Sequence, residues 1–324
     1  MNNKNQGKPS TKISRRSILQ GAAALGIGVA VAPLISTQVQ AAATGAAQAP
    51  AEPPKLTMAD VLRVAREKLF PLCRVCPECD GVACAGEVPG FGGIGSGQGF
   101  KTNYNSLNRI QFNMRTVHDM KKPDMSVEIF GETLAIPILA APTGGVTYNM
   151  GGKMTEEDYI DSAGRAARAL PGQIVEPKTL AQLKELVQCT KMPFILKGVM
   201  TVDEAELAVE AGAKGIVVSN HGGRVLDYTP GTADVLPAIA AKVKGKVVIF
   251  VDGAVRRGTD VLKLLALGAD ACLVGRPLIR GAHGAGRQGV ALMLNAMRQE
   301  LMDSMVLTGT ASVRNVSRSI IAGA

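Results

Sequence analysis

Five short apolar runs, "AIPILAAP", "FILKG", "GIVVSNHGG", "VVIFVDG" and "ACLVGRP", recur between residues 135 and 277, and each gives way to polar or glycine residues. A continuous apolar run of this length is how a strand reads when both its faces are buried, as in a parallel sheet. Helical stretches lie between the runs. "TVDEAELAVEAG" opens with a capping pair in Thr201 and Glu204, "KTLAQLKELVQ" with another in Thr179 and Gln182, and "GTDVLKLLALG" closes on a helix-stopping glycine. Repeated strand, polar loop and helix predicts an α/β fold of the (β/α)8 barrel type, whose chemistry gathers at the carboxyl ends of the strands.

Those ends carry the reactive residues. His221 and Arg224 follow "GIVV", and Gly222 and Gly223 beside them let a ligand approach the backbone closely. Histidine is suited to taking a proton near neutral pH, and arginine forms a forked pair with a carboxylate. A base beside a carboxylate clamp fits a 2-hydroxy acid. One and two strands later, "VDGAVRRG" and "VGRP" bring glycines and arginines to the positions where barrels commonly hold phosphate. Lys197 ends an apolar strand, where its charge needs a partner: an anionic cofactor, or a salt bridge toward a helix. His118 and His283 have no such company and read as structural.

The formal charge of +9 suggests nucleic acid, yet Lys4, Lys8, Lys12, Arg15 and Arg16 all precede residue 42 in a segment without acids. Setting these five of the 36 basic residues aside leaves 31 against 27 acidic ones. With aromatics at 3% and no arginine-rich helix, a nucleic-acid partner is not expected. The leader explains its own charge. "SRRSILQGAAALGIGVAVAPLIS" resembles a twin-arginine export signal, with "VQA" as a cleavage site ending at residue 41; an apolar membrane anchor is the other reading. Residues 42–54 read as a flexible linker, 55–128 as a cysteine- and glycine-rich head, and 129–324 as the barrel-type domain. The expected location is the periplasm or the outer face of the cytoplasmic membrane.

Within the head, Cys73, Cys76, Cys79 and Cys84 follow a C-x2-C-x2-C-x4-C spacing. Such a loop can wrap an iron–sulfur cluster; four thiolates also suit zinc, and an exported chain can form disulfides instead. Cys189 and Cys272 stand in apolar surroundings and are expected in the core. "GFGGIGSGQGF" contains G-x-G-x-x-G, but no strand precedes it, so a loop covering the site is expected in place of a dinucleotide fold.

"SNHGGRVLD", "VDGAVRRGTDVLKLLALGAD", "VGRP" and "AIPILAAPTGG" together resemble the FMN-dependent α-hydroxy-acid oxidases and dehydrogenases, the group of lactate and glycolate oxidases. The resemblance runs from about Asn113 onward, and the head looks like that of a cysteine-bearing branch. It implies that His221 is the base on the substrate hydroxyl and Arg224 the carboxylate clamp. It places Lys197 at one edge of the flavin, the backbone of Pro142, Thr143 and Gly144 at another, and Ser219 in contact with it. Asp252, Gly253, Arg256, Gly275 and Arg276 would hold ribityl and phosphate. "DGA" stands where the family has "DGG", a departure at Ala254.

The implied activity is FMN-dependent oxidation of a small L-2-hydroxy acid, lactate-like, to the 2-oxo acid. Electrons would leave through a cysteine-bound cluster, a quinone or oxygen, and the protein is expected as a homo-oligomer. A complete barrel takes about 250 residues, but only about 177 separate Thr133 from Gly309. The shortage falls between Leu170 and Pro193, where strands two to four of the barrel are expected to be mostly missing, with the tyrosine, second arginine and histidine-orienting aspartate that the family carries there. The second reading is therefore a shortened relative that binds flavin or phosphate, or serves assembly, without turnover. A third, another FMN barrel enzyme such as a type 2 isopentenyl diphosphate isomerase, is disfavoured by "SNHGGR".

Overall fold

Residues that are apolar on both faces need cover on both, and the chain supplies it with a parallel sheet between helices. A computed structural model describes residues 55–87, 90–120, 122–143 and 178–323. Strands β1 (Val127–Ile129) and β2 (Glu132–Leu134) form an antiparallel hairpin. Five further strands, β3 (Ile138–Ala140), β4 (Ile195–Val199), β5 (Gly215–Val218), β6 (Val248–Val251) and β7 (Ala271–Val274), make one parallel sheet in the order β3-β7-β6-β5-β4. Every residue of β5 and β7 is buried, as continuous apolar runs require.

The order carries the architecture. The first strand of the sheet pairs with the last, Ile138 opposite Cys272 and Ala140 opposite Val274, and this first-to-last seam is what closes a (β/α)8 barrel. Among the described residues no strand joins β3 to β4, so the sheet is open on that side, where the shortage was expected. The helix expected over "EEDYIDSAGRAARAL" lies outside the described residues.

Helices α1 (Met58–Leu69), α2 (Gln98–Asn108), α3 (Leu180–Gln188), α4 (Val202–Glu210), α5 (Thr232–Val243), α6 (Gly258–Ala266) and α7 (Arg276–Thr308) surround the sheet. The Thr179 and Gln182 capping box of α3 is present on both sides, whereas Glu204 in α4 turns its carboxylate to Met200 N and leaves only the Thr201 half. Helix α7 breaks at Ala285 and Gly286, and its Gly284 meets α1 so closely that a Cβ would lie 2.2 Å from the Val61 carbonyl oxygen. Ile249, Leu262 and Leu264 are wholly enclosed, each contributing roughly 1.5–3 kcal/mol by burial. At the amino end of the strands the β1–β2 turn brings Phe130 within 6.2 Å of Phe250, ring centre to ring centre, and covers Gly215. The carboxyl end is left for the head segment.

Candidate active site

Four of the five strands deliver site residues within three positions past their carboxyl ends: Pro142 and Thr143 after β3, Ser219 and His221 after β5, Asp252 and Gly253 after β6, Gly275 and Arg276 after β7. Lys197 lies within β4, where a bulge at the left-handed Gly198 re-aims the strand. The bulge must be glycine, because the His221 ring lies against it and a Cβ would come within 2.7 Å of Cε1.

Within the protein the counter-ion of Lys197 comes from the end of another strand, β6, and not from a helix. Its Nζ pairs with the Asp252 carboxylate at 3.0 Å and donates to Ser219 Oγ at 2.8 Å, a salt bridge between strand ends. Ser219 Oγ also accepts from the His221 backbone N–H at 3.1 Å, so one buried hydroxyl sets both lysine and histidine. His221 as a residue is exposed, yet protein crowds its ring enough for desolvation to lower its pKa; Lys197 lowers it further and Asp252 partly offsets both. The imidazole is therefore neutral near pH 7, the form a base requires. The second Asp252 oxygen, Oδ1, is buried without a hydrogen-bond partner. That orphaned acceptor suits a ribityl hydroxyl donor. Gly253, at φ +96°, presses on Thr232 and Asn103, and Ala254 follows at φ +58°, a left-handed position where a glycine would be unstrained.

The glycine-rich stretch lies directly over the histidine–arginine motif, as a covering loop. Ile94 N donates to Gly223 O at 2.8 Å, and Asn220 Nδ2 donates to Gly99 O at 3.2 Å. Arg224, half-buried, donates to the carbonyls of Gly90 and Gly92. Asp227, which the sequence reading did not single out, fastens the loop: it accepts from Ser96 N at 2.7 Å, Ser96 Oγ at 2.8 Å, Gly99 N at 3.1 Å and Tyr228 N at 2.9 Å. Desolvation raises its pKa, but these bonds outweigh it and hold the carboxyl at about 2. A carboxylate whose folded pKa lies below its unfolded value stabilises above the unfolded pKa and loses that stabilisation as pH falls through the folded one. Between about pH 4 and pH 2 the parent chain should lose stability more steeply than Asp227→Asn, by urea titration at each pH. Equal slopes would remove Asp227 from that role.

Four guanidiniums gather beneath the head: Arg224, Arg256, Arg276 and Arg280. None is paired with a carboxylate among the described residues. Arg276 donates to Phe91 O at 3.0 Å and Gly222 O at 3.1 Å and lies 4.0 Å over the Phe100 ring. Burial and then the Arg256 charge push its pKa down to about 9. Arg256 donates to Cys79 O at 3.3 Å, and the Nε atoms of Arg256 and Arg280 are buried without partners. Concentrated positive charge with unused donors fits the phosphate of FMN, with Asp252 Oδ1 left for the ribityl chain. Ala141 and Thr143 face Gly275 across the β3–β7 seam, a Gly275 Cβ falling 3.9 Å from Thr143 Oγ1, with Pro142 between them in sequence; Gly144 lies outside the described residues. Arg280 was missed in the sequence, though its spacing four residues after Arg276 puts both on one face of α7.

The cysteine loop does not form the expected metal centre. Among the described residues no group of three or more histidine, cysteine or acidic side chains is placed to hold a metal, and all six cysteines are free thiols. Cys73 and Cys79 turn toward arginine instead: Arg280 donates to their sulfurs at 3.5 and 3.3 Å, and Arg256 to Cys79 Sγ at 3.6 Å. Burial raises the Cys79 pKa, but the charges of Arg256, Arg280 and Arg276 outweigh it and lower it overall, whereas burial raises that of Cys84. Cys272 is enclosed as expected; Cys189 is exposed, because it caps α3 on the open side of the sheet.

The profile of the FMN-dependent dehydrogenase family matches residues 91–170 and 147–323. A 2-hydroxyacid oxidase of Dictyostelium discoideum is 48% identical over 149 residues, 46% of this chain and 38% of that protein. Glycolate oxidase 3 of Arabidopsis thaliana is 41% identical over 183 residues, 56% of this chain and 50% of that one. The chain thus spans half or less of the length of these relatives. Among solved structures, a mandelate oxidase with 3,3-difluoro-2-hydroxy-3-phenylpropionic acid superposes with a TM-score of 0.62 at 28% identity, covering 79% of this chain and 96% of that one. A mandelate oxidase variant with a monooxide FMN adduct gives 0.60 at 28% identity, over 74% of this chain and 98% of that one.

Proposed function

Because the chain belongs to the FMN-dependent dehydrogenase family, we propose that it oxidises a small 2-hydroxy acid, lactate-like in size, to the 2-oxo acid. The observation that carries this is the convergence of a neutral histidine, a carboxylate-seeking arginine and an unneutralised arginine cluster at the ends of consecutive strands. FMN, when bound, accepts the electron pair that leaves the substrate's α carbon. His221 takes the hydroxyl proton with its ring. Arg224 exchanges the neutral Gly90 and Gly92 carbonyls for the substrate carboxylate, a charge-assisted partner about twice as strong. Ser219 holds Lys197 and His221 in register, and the Lys197 charge keeps the ring unprotonated until substrate arrives. Oxygen or a quinone completes the turnover.

Two observations favour the second reading, a shortened relative that binds flavin without turnover: the Arg224 donors are engaged by the chain itself, and the described sheet is open between β3 and β4. The visible spectrum of the purified protein, recorded anaerobically before and after L-lactate, glycolate and mandelate, separates the two. Flavin bands that bleach with one of these acids establish the enzyme, and bands that persist with all of them establish the relative.

The leader supports export in the folded state, with its cofactor loaded. Changing Arg15 and Arg16 together to lysine should hold the precursor in the cytoplasm with flavin bound. Normal appearance of the double variant in the periplasmic fraction would refute this route.

A further inference from the structure

We propose that Cys73 and Cys79 are a peroxide-reactive dithiol, with Arg280 as the residue that positions both sulfurs. The two thiols come from different turns of the head loop yet meet at one guanidinium nitrogen, at 3.5 and 3.3 Å. Arg280 is buried on α7 with its Nε unpartnered, and among the described residues the two sulfurs are the side-chain acceptors that fix its orientation. Arg256 adds a second donor to Cys79 from the loop after the neighbouring strand β6. Neither arginine has a carboxylate partner among the described residues, and an anionic sulfur is a charge the pair can hold.

Access divides the labour. Cys79 is partly open, while Cys73 is 3% exposed and takes a further contact from the Val75 N–H at 3.4 Å. In the first step the Cys79 sulfur, as thiolate, attacks one oxygen of hydrogen peroxide. The O–O bond breaks, hydroxide leaves, and sulfur is oxidised by two electrons to the sulfenic acid. In the second, the Cys73 sulfur attacks the Cys79 sulfur. The S–S bond forms, the S–O bond breaks, and the departing oxygen leaves as water with the Cys73 proton. Two thiols and one peroxide become one disulfide and two waters. Two equivalents of a small-molecule thiol return the pair to two thiols by successive exchange and leave as their own disulfide. Closing the bond needs the sulfurs to reach about 2.05 Å, and the disulfide leaves no thiolate to hold the Arg280 and Arg256 donors, so oxidation also frees them.

Peptide mapping tests this directly. The reduced full chain is treated with one equivalent of hydrogen peroxide, its remaining thiols are alkylated, and it is cut after Arg74 and Glu78, which separates Cys73, Cys76 and Cys79 onto different peptides. The expected product is a Cys73 to Cys79 linked pair, with exposed Cys189 still alkylated. Cys73→Ser should stop at a sulfenic acid on Cys79, trapped by dimedone, and Arg280→Gln should slow disulfide formation at least about 10-fold, with Arg280→Lys recovering part of the rate. A Cys76 or Cys84 linkage in place of the pair, or oxidation of Cys189 at the same rate as Cys79, would overturn the assignment. So would a Cys73→Ser chain that behaves as the parent does, a readout that holds even where an Arg280 variant fails to fold.

Discussion

His221→Gln should copurify with flavin and turn over at least about 100-fold more slowly than the parent chain, the usual loss for a missing general base. The substitution keeps the size and one hydrogen-bonding edge of the ring and removes its basicity. Flavin retention is expected because the ring lies against Gly198, while the arginines proposed to hold the phosphate lie past β6 and β7. The pH profile adds an independent sign check. Desolvation and the Lys197 charge lower the histidine pKa, so kcat/KM should rise with pH through a value below the ordinary 6.5 and level off, since the neutral ring is the active form. Lys197→Met removes the nearest cation and should move that rise to higher pH. A His221→Gln chain with unchanged kcat, or a rise left in place by Lys197→Met, would mean that another group takes the proton.

Several of these positions were legible because their signals are local. Period and composition alone place β5, β6 and β7, since four consecutive apolar residues after a helix-stopping glycine have few other uses. The first-to-last seam follows from barrel topology once β3 and β7 are recognised. The Lys197 and Asp252 pair was not legible, because it joins residues 55 apart whose shared feature is their height above the sheet. Asp227 and Asn220 were equally hidden. Their partners, Ser96, Gly99 and Asn103, lie more than 100 residues earlier, in a stretch whose glycines suggested looseness but whose role is to let backbone approach backbone. The surroundings of the cysteine motif were hidden for a related reason: spacing fixes how a loop can wrap a metal, but the arginines that face two of its sulfurs come from the loop after β6 and from α7, and nothing in the spacing records them.

Arg276→Met should abolish the preference of the chain for FMN over riboflavin, two ligands that differ by the phosphate. Arg276 is a buried cation, its charge opposed by desolvation and by Arg256 until its pKa falls to about 9, with the Phe91 and Gly222 carbonyls as its hydrogen-bond acceptors among the described residues. A phosphate dianion relieves that opposition, and losing one partner of a buried charge pair costs about 2–5 kcal/mol. The parent should therefore bind FMN at least about 30-fold more tightly than riboflavin, and FMN should raise its melting temperature where riboflavin at equal concentration raises it much less. Methionine keeps the apolar stem against Phe100 and removes the charge, so in the variant the two ligands should give the same small shift. A loss of riboflavin binding along with FMN binding would instead make Arg276 a pin for the head loop, acting on the flavin site through Phe91 and Gly222. A variant that still prefers FMN would place the phosphate elsewhere, at Arg256 and Arg280 on the far side of the cluster.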